Sequence, residues 1–131
     1  MRRTNRGYIL GELAVAVFVV GVLLAVTSAL ILMSNDQVRA SHKAFVARQI
    51  ASNRLETMKL ASFDELALTD ADGQPFESAL SGELRDFVGT VHVEAFAGDP
   101  ALKNITVTVQ WAEKRRTRTL SLSLLRGRRT P

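Results

Sequence analysis

The 131-residue chain has no cysteine. This excludes a disulfide framework, a thiolate metal site and a cysteine nucleophile, and it leaves the compartment open. Histidine is scarce. His42 and His92 are the only two, and nothing in their spacing brings them together. No His-x-x-x-His pair or carboxylate cluster at metal-ligand spacing accompanies them, so each reads as a surface residue. There is no Gly-x-Ser-x-Gly elbow for a serine nucleophile and no glycine loop of the phosphate-cradling kind. No catalytic site, metal or cofactor is expected, and the chain is not read as an enzyme. Proline is absent before Pro75, so nothing of that kind kinks or ends a long N-terminal helix.

What the chain does have is one long apolar run. Leu13 to Met33 is 21 residues without a charge, and only Thr27 and Ser28 in it are clearly polar. A bilayer core of about 30 Å takes ~20 helical residues, so the run suits one span. It is too long for the apolar part of a removable secretory signal, and it ends on the large residues Leu30-Ile31-Leu32-Met33 rather than a small-x-small site. The same length argues against a twin-arginine signal at Arg2-Arg3. Arg2, Arg3 and Arg6 precede the run with no acid among them. By the positive-inside rule this starts the chain in the cytoplasm and places the polar remainder outside.

Charge is unevenly spread. The net is +4, from 17 Lys+Arg against 13 Asp+Glu. Glu56 to Asp99 holds ten acids against Lys59 and Arg85, whereas Lys114, Arg115, Arg116, Arg118, Arg126, Arg128 and Arg129 crowd the end. A basic balance raises the question of nucleic acid. Part of it is a topology signal and the rest belongs to a hairpin and a tail, so nucleic acid is not an expected partner. A basic-tail DNA binder would show affinity falling steeply with salt and lost without Arg126, Arg128 and Arg129.

Glu12 sits at the front edge of the apolar block, five residues after Gly7. A carboxylate at membrane depth costs about 2–3 kcal/mol or more and is usually paired and functional. The plain alternative is a residue at headgroup level. The run Arg6-Gly7-Tyr8-Ile9-Leu10-Gly11-Glu12 followed by an apolar helix resembles the N-terminus of type IV pilin-like proteins. That resemblance implies a basic leader (1–7) cut between Gly7 and Tyr8 by a prepilin peptidase, N-methylation of Tyr8, and Glu12 as the assembly glutamate. Gly21 also falls where the family often has a glycine. Gly11 departs from the family's large aliphatic residue. A buried Glu12 needs a positive partner, and the family implies the free amine of a neighbouring Tyr8.

Ser34 to about Ser62 continues the helix. Ala44, Ala47, Ala51, Leu55 and Met58 recur at spacings of three and four, with Val46 and Ile50 beside them, as one apolar stripe. Arg39, Lys43, Arg48, Arg54 and Lys59 supply a basic outer surface. Phe63 to Gly89 is irregular, with a turn at Asp70-Ala71-Asp72-Gly73-Gln74-Pro75. Asp70 and Asp72 raise calcium, but the segment is too short and lacks the third acid and terminal Glu of a calcium loop, so it reads as a surface turn. Ser81 to Val88 is a short helix or an edge strand. Thr90–Ala97, Asn104–Ala112 and Thr117–Leu125 alternate as three strands of an antiparallel meander, separated by Gly98-Asp99-Pro100 and Glu113-Lys114-Arg115-Arg116. The meander's apolar face needs a cover, and the helix stripe is the only candidate. Trp111 is read as a packing residue. Gly127 to Pro131 is read as a frayed tail.

The expected fold is therefore α+β. A long helix, transmembrane over residues 8–33, heads a domain of residues 34–131 in which a small antiparallel sheet packs on the helix. The terminal hairpin resembles that of minor pseudopilins of type II secretion, subunit I in particular, and equally minor pilins of the V type. The function implied is structural: a minor pseudopilin held in the bacterial inner membrane, its C-terminal domain periplasmic, assembled into a short pseudopilus. Its partners would be other minor and major pseudopilins, the prepilin peptidase and inner-membrane lipid. The alternatives are a minor pilin of a type IV pilus (initiation, adhesion or DNA uptake) and a plain single-pass anchor with a binding domain. The short chain and the missing disulfide and helix proline lean to secretion.

Overall fold

The computed structural model describes residues 5–128, with side chains from Gly7 onward. Arg2 and Arg3 of the expected leader, and Arg129 to Pro131 of the expected tail, lie outside the described residues. One helix, α1 (Asn5–Leu60), carries the whole N-terminal half. The chain divides into two compact units at Arg39/Ala40, six residues beyond the boundary expected from the apolar run.

Between Leu13 and Met33 α1 is apolar on every side and its side chains are exposed. A helix of this kind belongs in a hydrophobic medium. It is long and apolar enough to cross a membrane. The two hydroxyls between Leu13 and Met33 are turned back onto the helix backbone: Thr27 Oγ1 donates to the Leu23 carbonyl at 2.7 Å and Ser28 Oγ to that of Leu24 at 2.8 Å. No polar side-chain group in the stretch is then left seeking water.

In the second unit α1 buries Val46, Ala47, Ile50, Ala51 and Leu55. The stripe is thus rotated from the one expected: Val46 and Ile50 are central, and Ala44 is exposed. Large β-branched residues take the face nearest the sheet because they bury more apolar area than alanine. Four strands cover it: β1 (Gln74–Phe76), β2 (Val88–Phe96), β3 (Asp99–Glu113) and β4 (Arg116–Gly127). They form one antiparallel sheet in the order β1-β2-β3-β4. The registers Val91↔Val107↔Leu122 and Val93↔Ile105↔Leu124 align three strands' inward residues in rows. Val91, Val93, Ile105, Val107, Val109 and Trp111 are buried, whereas Leu120, Leu122 and Leu124 of β4 are only half-buried. The α+β fold with a helix packed on an antiparallel sheet is as the sequence led one to expect.

Several local readings change. Gln74 and Pro75 belong to β1 rather than to the turn before it. Only Ser81–Glu83 is helical, as one 3-10 turn. The β2–β3 hairpin closes tightly, Phe96 opposite Asp99, so β3 begins five residues earlier than the alternation indicated and includes Pro100. The pairing shifts register between Ala95 and Phe96, and Ala95 is exposed instead of inward. Ala95 itself still pairs in register with Lys103, so the irregularity re-aims only the residues from Phe96 on. The segment after α1 is pinned down by strand residues. Lys103 Nζ donates to the carbonyls of Phe63 (2.8 Å) and Leu66 (2.6 Å). Arg128, read as tail, bonds through its amide to Ala101 (2.9 Å) and through its guanidinium to Asp64 (2.7 Å).

Candidate functional site

The first residues of α1 hold the candidate cleavage, methylation and assembly residues named from the sequence. Gly7, Tyr8, Gly11, Glu12 and Val15 line one shallow depression on the helix surface. It exists because Gly7 and Gly11 stand one turn apart and carry no side chain. A Cβ at either would meet only open space. Tyr8 is 79% exposed. Glu12 is exposed too, and no basic group among the described residues pairs with it. The Gly7–Tyr8 peptide bond is in the first turn of α1. Each glycine in a helix interior costs about 1 kcal/mol against alanine, so two of them within five residues make this turn easy to open. The arrangement offers an openable peptide bond beside a carboxylate on an otherwise apolar surface.

The remaining candidates lie in the second unit. His42 Nε2 faces Glu83 Oε2 at 3.3 Å, both side chains well exposed. His92 belongs to a different network and is less exposed than a surface residue would be. Its Nδ1 is 3.0 Å from Thr69 Oγ1, its Nε2 is 3.6 Å from Glu94, and Glu94 accepts from Asn104 Nδ2 at 3.0 Å. Thr69 also bonds Val93, donating its amide to the Val93 carbonyl and accepting the Val93 amide on its hydroxyl, each at 2.9 Å. The two histidines share no site. No group of three or more His, Asp and Glu among the described residues is placed to hold a metal. Asp70 to Gly73 forms a turn closed by the Gly73 amide on the Asp70 carbonyl at 2.9 Å, with Gly73 at φ 71°.

The C-terminal bases are largely engaged within the chain. Arg118 pairs with Glu113 at 2.8 Å. Arg126 donates to the Lys59 carbonyl at 2.5 Å and the Ala61 carbonyl at 3.1 Å, capping the end of α1. Cations are favoured there by the exposed carbonyls and the helix dipole. Arg54, assigned to the outer surface, instead lies over the Phe76 ring at 5.2 Å with its Nε buried. Trp111 is buried in the core as expected. Sequence reasoning missed the capping role of Arg126 and the anchoring role of Lys103, because neither shows in spacing: their partners are main-chain carbonyls 37 to 67 residues away.

Comparison with known protein families, curated proteins and solved structures returns no match for this chain.

Proposed function

We propose that this chain is a pilin-like filament subunit, a minor pseudopilin of a type II secretion system. One observation carries the reading. A single carboxylate, Glu12, is exposed one turn after Tyr8, directly before 21 uncharged residues, on a helix long and apolar enough to span a membrane. The rest of the chain is a helix-covered antiparallel sheet of the kind the resemblance implies.

The physical argument runs through Glu12. Alone in lipid it is destabilised. Beside the α-amine of another subunit it becomes half of an ion pair, and an amine there exists only after cleavage between Gly7 and Tyr8. The weak first turn of α1 helps present that bond in extended form to prepilin peptidase. Cleavage also removes Arg2, Arg3 and Arg6, which would hold the chain at the cytoplasmic face. Methylated Tyr8 then begins the mature subunit. Before assembly the subunit waits in the inner membrane with its C-terminal domain in the periplasm, and other minor and major pseudopilins are its partners.

The test is the mass of the mature N-terminus from cells with and without prepilin peptidase. A fragment beginning at methylated Tyr8, present only with the peptidase, is the expected result. An intact N-terminus in both strains would overturn the reading and leave a plain anchored domain. A Tyr8 fragment recovered in extracellular pili would keep the processing and move the subunit to the type IV pilus.

A further inference from the structure

The two edges of the sheet are treated very differently. The β1 edge is closed by ordinary means. β1 is three residues long and contains Pro75, and the stretch of β2 beyond it is covered by Thr69, whose amide and hydroxyl satisfy Val93. Beyond the end of β2, the Ala112 amide of β3 donates to the Arg85 carbonyl at 2.8 Å. Short strands, proline and covering loops are how folded proteins blunt an edge.

Among the described residues the β4 edge has none of these. β4 is 12 residues with no proline, its ladder to β3 runs unbroken from Glu113↔Arg116 to Leu102↔Gly127, and it is the last strand in the sheet order. Alternate amides and carbonyls of an antiparallel edge strand point away from the sheet. Its central segment, Thr119 to Leu125, has no charge, glycine or proline. A second observation points the same way. Leu120, Leu122 and Leu124 are half-buried, whereas the residues paired with them, Val109, Val107 and Ile105, are fully buried. The core is covered over β2 and β3 and incompletely covered over β4.

We propose that the β4 edge is a strand-addition site for an extended segment of another protein, apolar at alternate positions and acidic at both ends. Main-chain bonds to the outward groups of Thr117 to Leu125 supply affinity. Inward apolar side chains of the added strand cover Leu120, Leu122 and Leu124. The ends are set by charge. β4 carries Arg116, Arg118 and Arg126 and no acid; Arg118 is paired with Glu113 of β3, whereas Arg126 is bonded to neutral carbonyls, so its charge is not cancelled. The same pattern excludes a second copy of this edge. Pairing β4 with β4, parallel or antiparallel, sets arginines against arginines at both ends, and directly opposed like charges destabilise a strand pair. The proposal stands apart from the filament reading and does not require it.

The test uses the full chain in detergent micelles and two synthetic peptides with the same Thr-Val-Thr-Val-Thr-Val-Thr centre, one flanked by Glu and one by Lys. The Glu-flanked peptide is expected to bind and to slow amide exchange in Thr117–Leu125 at least tenfold, leaving α1 unchanged. The Lys-flanked peptide is expected to do neither. Leu122→Lys, an inward charge of the kind that protects natural edges, should abolish the protection. Arg116→Glu, at an exposed position, should weaken the Glu-flanked peptide by about threefold, as for a surface charge pair. Equal binding of both peptides, protection elsewhere than β4, or β4-mediated dimerisation of the chain alone would overturn the proposal.

Discussion

Two buried nitrogens among the described residues lack a hydrogen-bond partner: Arg54 Nε and Trp111 Nε1. An unmet donor in the core costs about 1–3 kcal/mol. Trp111→Phe removes that donor and keeps an aromatic ring, so it should change stability by less than about 1 kcal/mol. Trp111→Ala empties the site and should cost about 3–5 kcal/mol. Thermal or urea denaturation of the two variants tests the contrast; equal losses would show that the indole nitrogen finds a partner. Gly89 is constrained for a different reason. A Cβ there would stand 2.8 Å from the rings of Phe76 and Phe87, which meet edge to face at 6.1 Å. Gly89→Ala must push a ring aside and should cost about 1–3 kcal/mol, as overpacking does. In Gly73 two demands coincide, a φ of 71° and a backbone oxygen, that of Val91, 2.9 Å from where a Cβ would sit.

The end of α1 is the element whose stability is most open to test. Arg126 caps its last carbonyls. Directly after it, Ser62 and Glu65 bond reciprocally: the Ser62 amide donates to Glu65 Oε2 at 2.9 Å and the Glu65 amide to Ser62 Oγ at 3.3 Å. This is the geometry of a capping box. Arg126→Met should lower stability by about 1 kcal/mol, the lower end for a bond to a charged group because the site is partly exposed. Amide exchange in the last turn of α1 should rise. The Ser62 amide, and then its hydroxyl, hold the Glu65 carboxyl below its usual value. Because the folded state lowers this pKa, the contribution is present above the unfolded value of about 4.3 and is lost as pH falls through the folded one. Denaturation of Glu65→Gln should therefore be less sensitive to pH in the acid range than that of the parent chain.

Elements were legible where a period repeats. The three long strands and the helix stripe showed in alternation and in three-four spacing, because burial on one face imposes those periods. The rotation of the stripe toward Val46 and Ile50 was not legible, since an alanine-lined and a valine-lined face have the same period. β1 was hidden because three residues give no period and Pro75 imitates a turn signal. Arg54 was assigned outward by its charge. Its guanidinium in fact lies over Phe76, which only the position of β1 determines.

At the scale of the whole molecule, the two units put different demands on the same chain. The first is tested by Glu12→Ala. On the filament reading proposed above, folding of the sheet should be unchanged, while co-purification with the proposed partner subunits should fall at least tenfold. Unchanged assembly would return Glu12 to a headgroup-level role. The candidate residues Gly7, Tyr8 and Glu12 lie within six positions of one helix, so their nearness needs no fold to bring it about. The β4 edge was not legible in sequence, since an unpaired edge is defined by the strand order. The second unit is tested by Ile105→Ala, a residue with no exposed surface, which should cost about 2–5 kcal/mol.

The cap on α1 comes from a residue 65 to 67 positions later in the chain. Synthesis proceeds from the N-terminus, so the ribosome releases the helix long before it releases Arg126, and β4 with it. Until then the Val46–Leu55 face has only part of its sheet and the helix end is uncapped. Completion of the second unit thus waits on β4. A stop codon near Leu120 should leave a chain whose α1 forms normally but which is degraded by proteases, as partly folded domains with exposed apolar surface are.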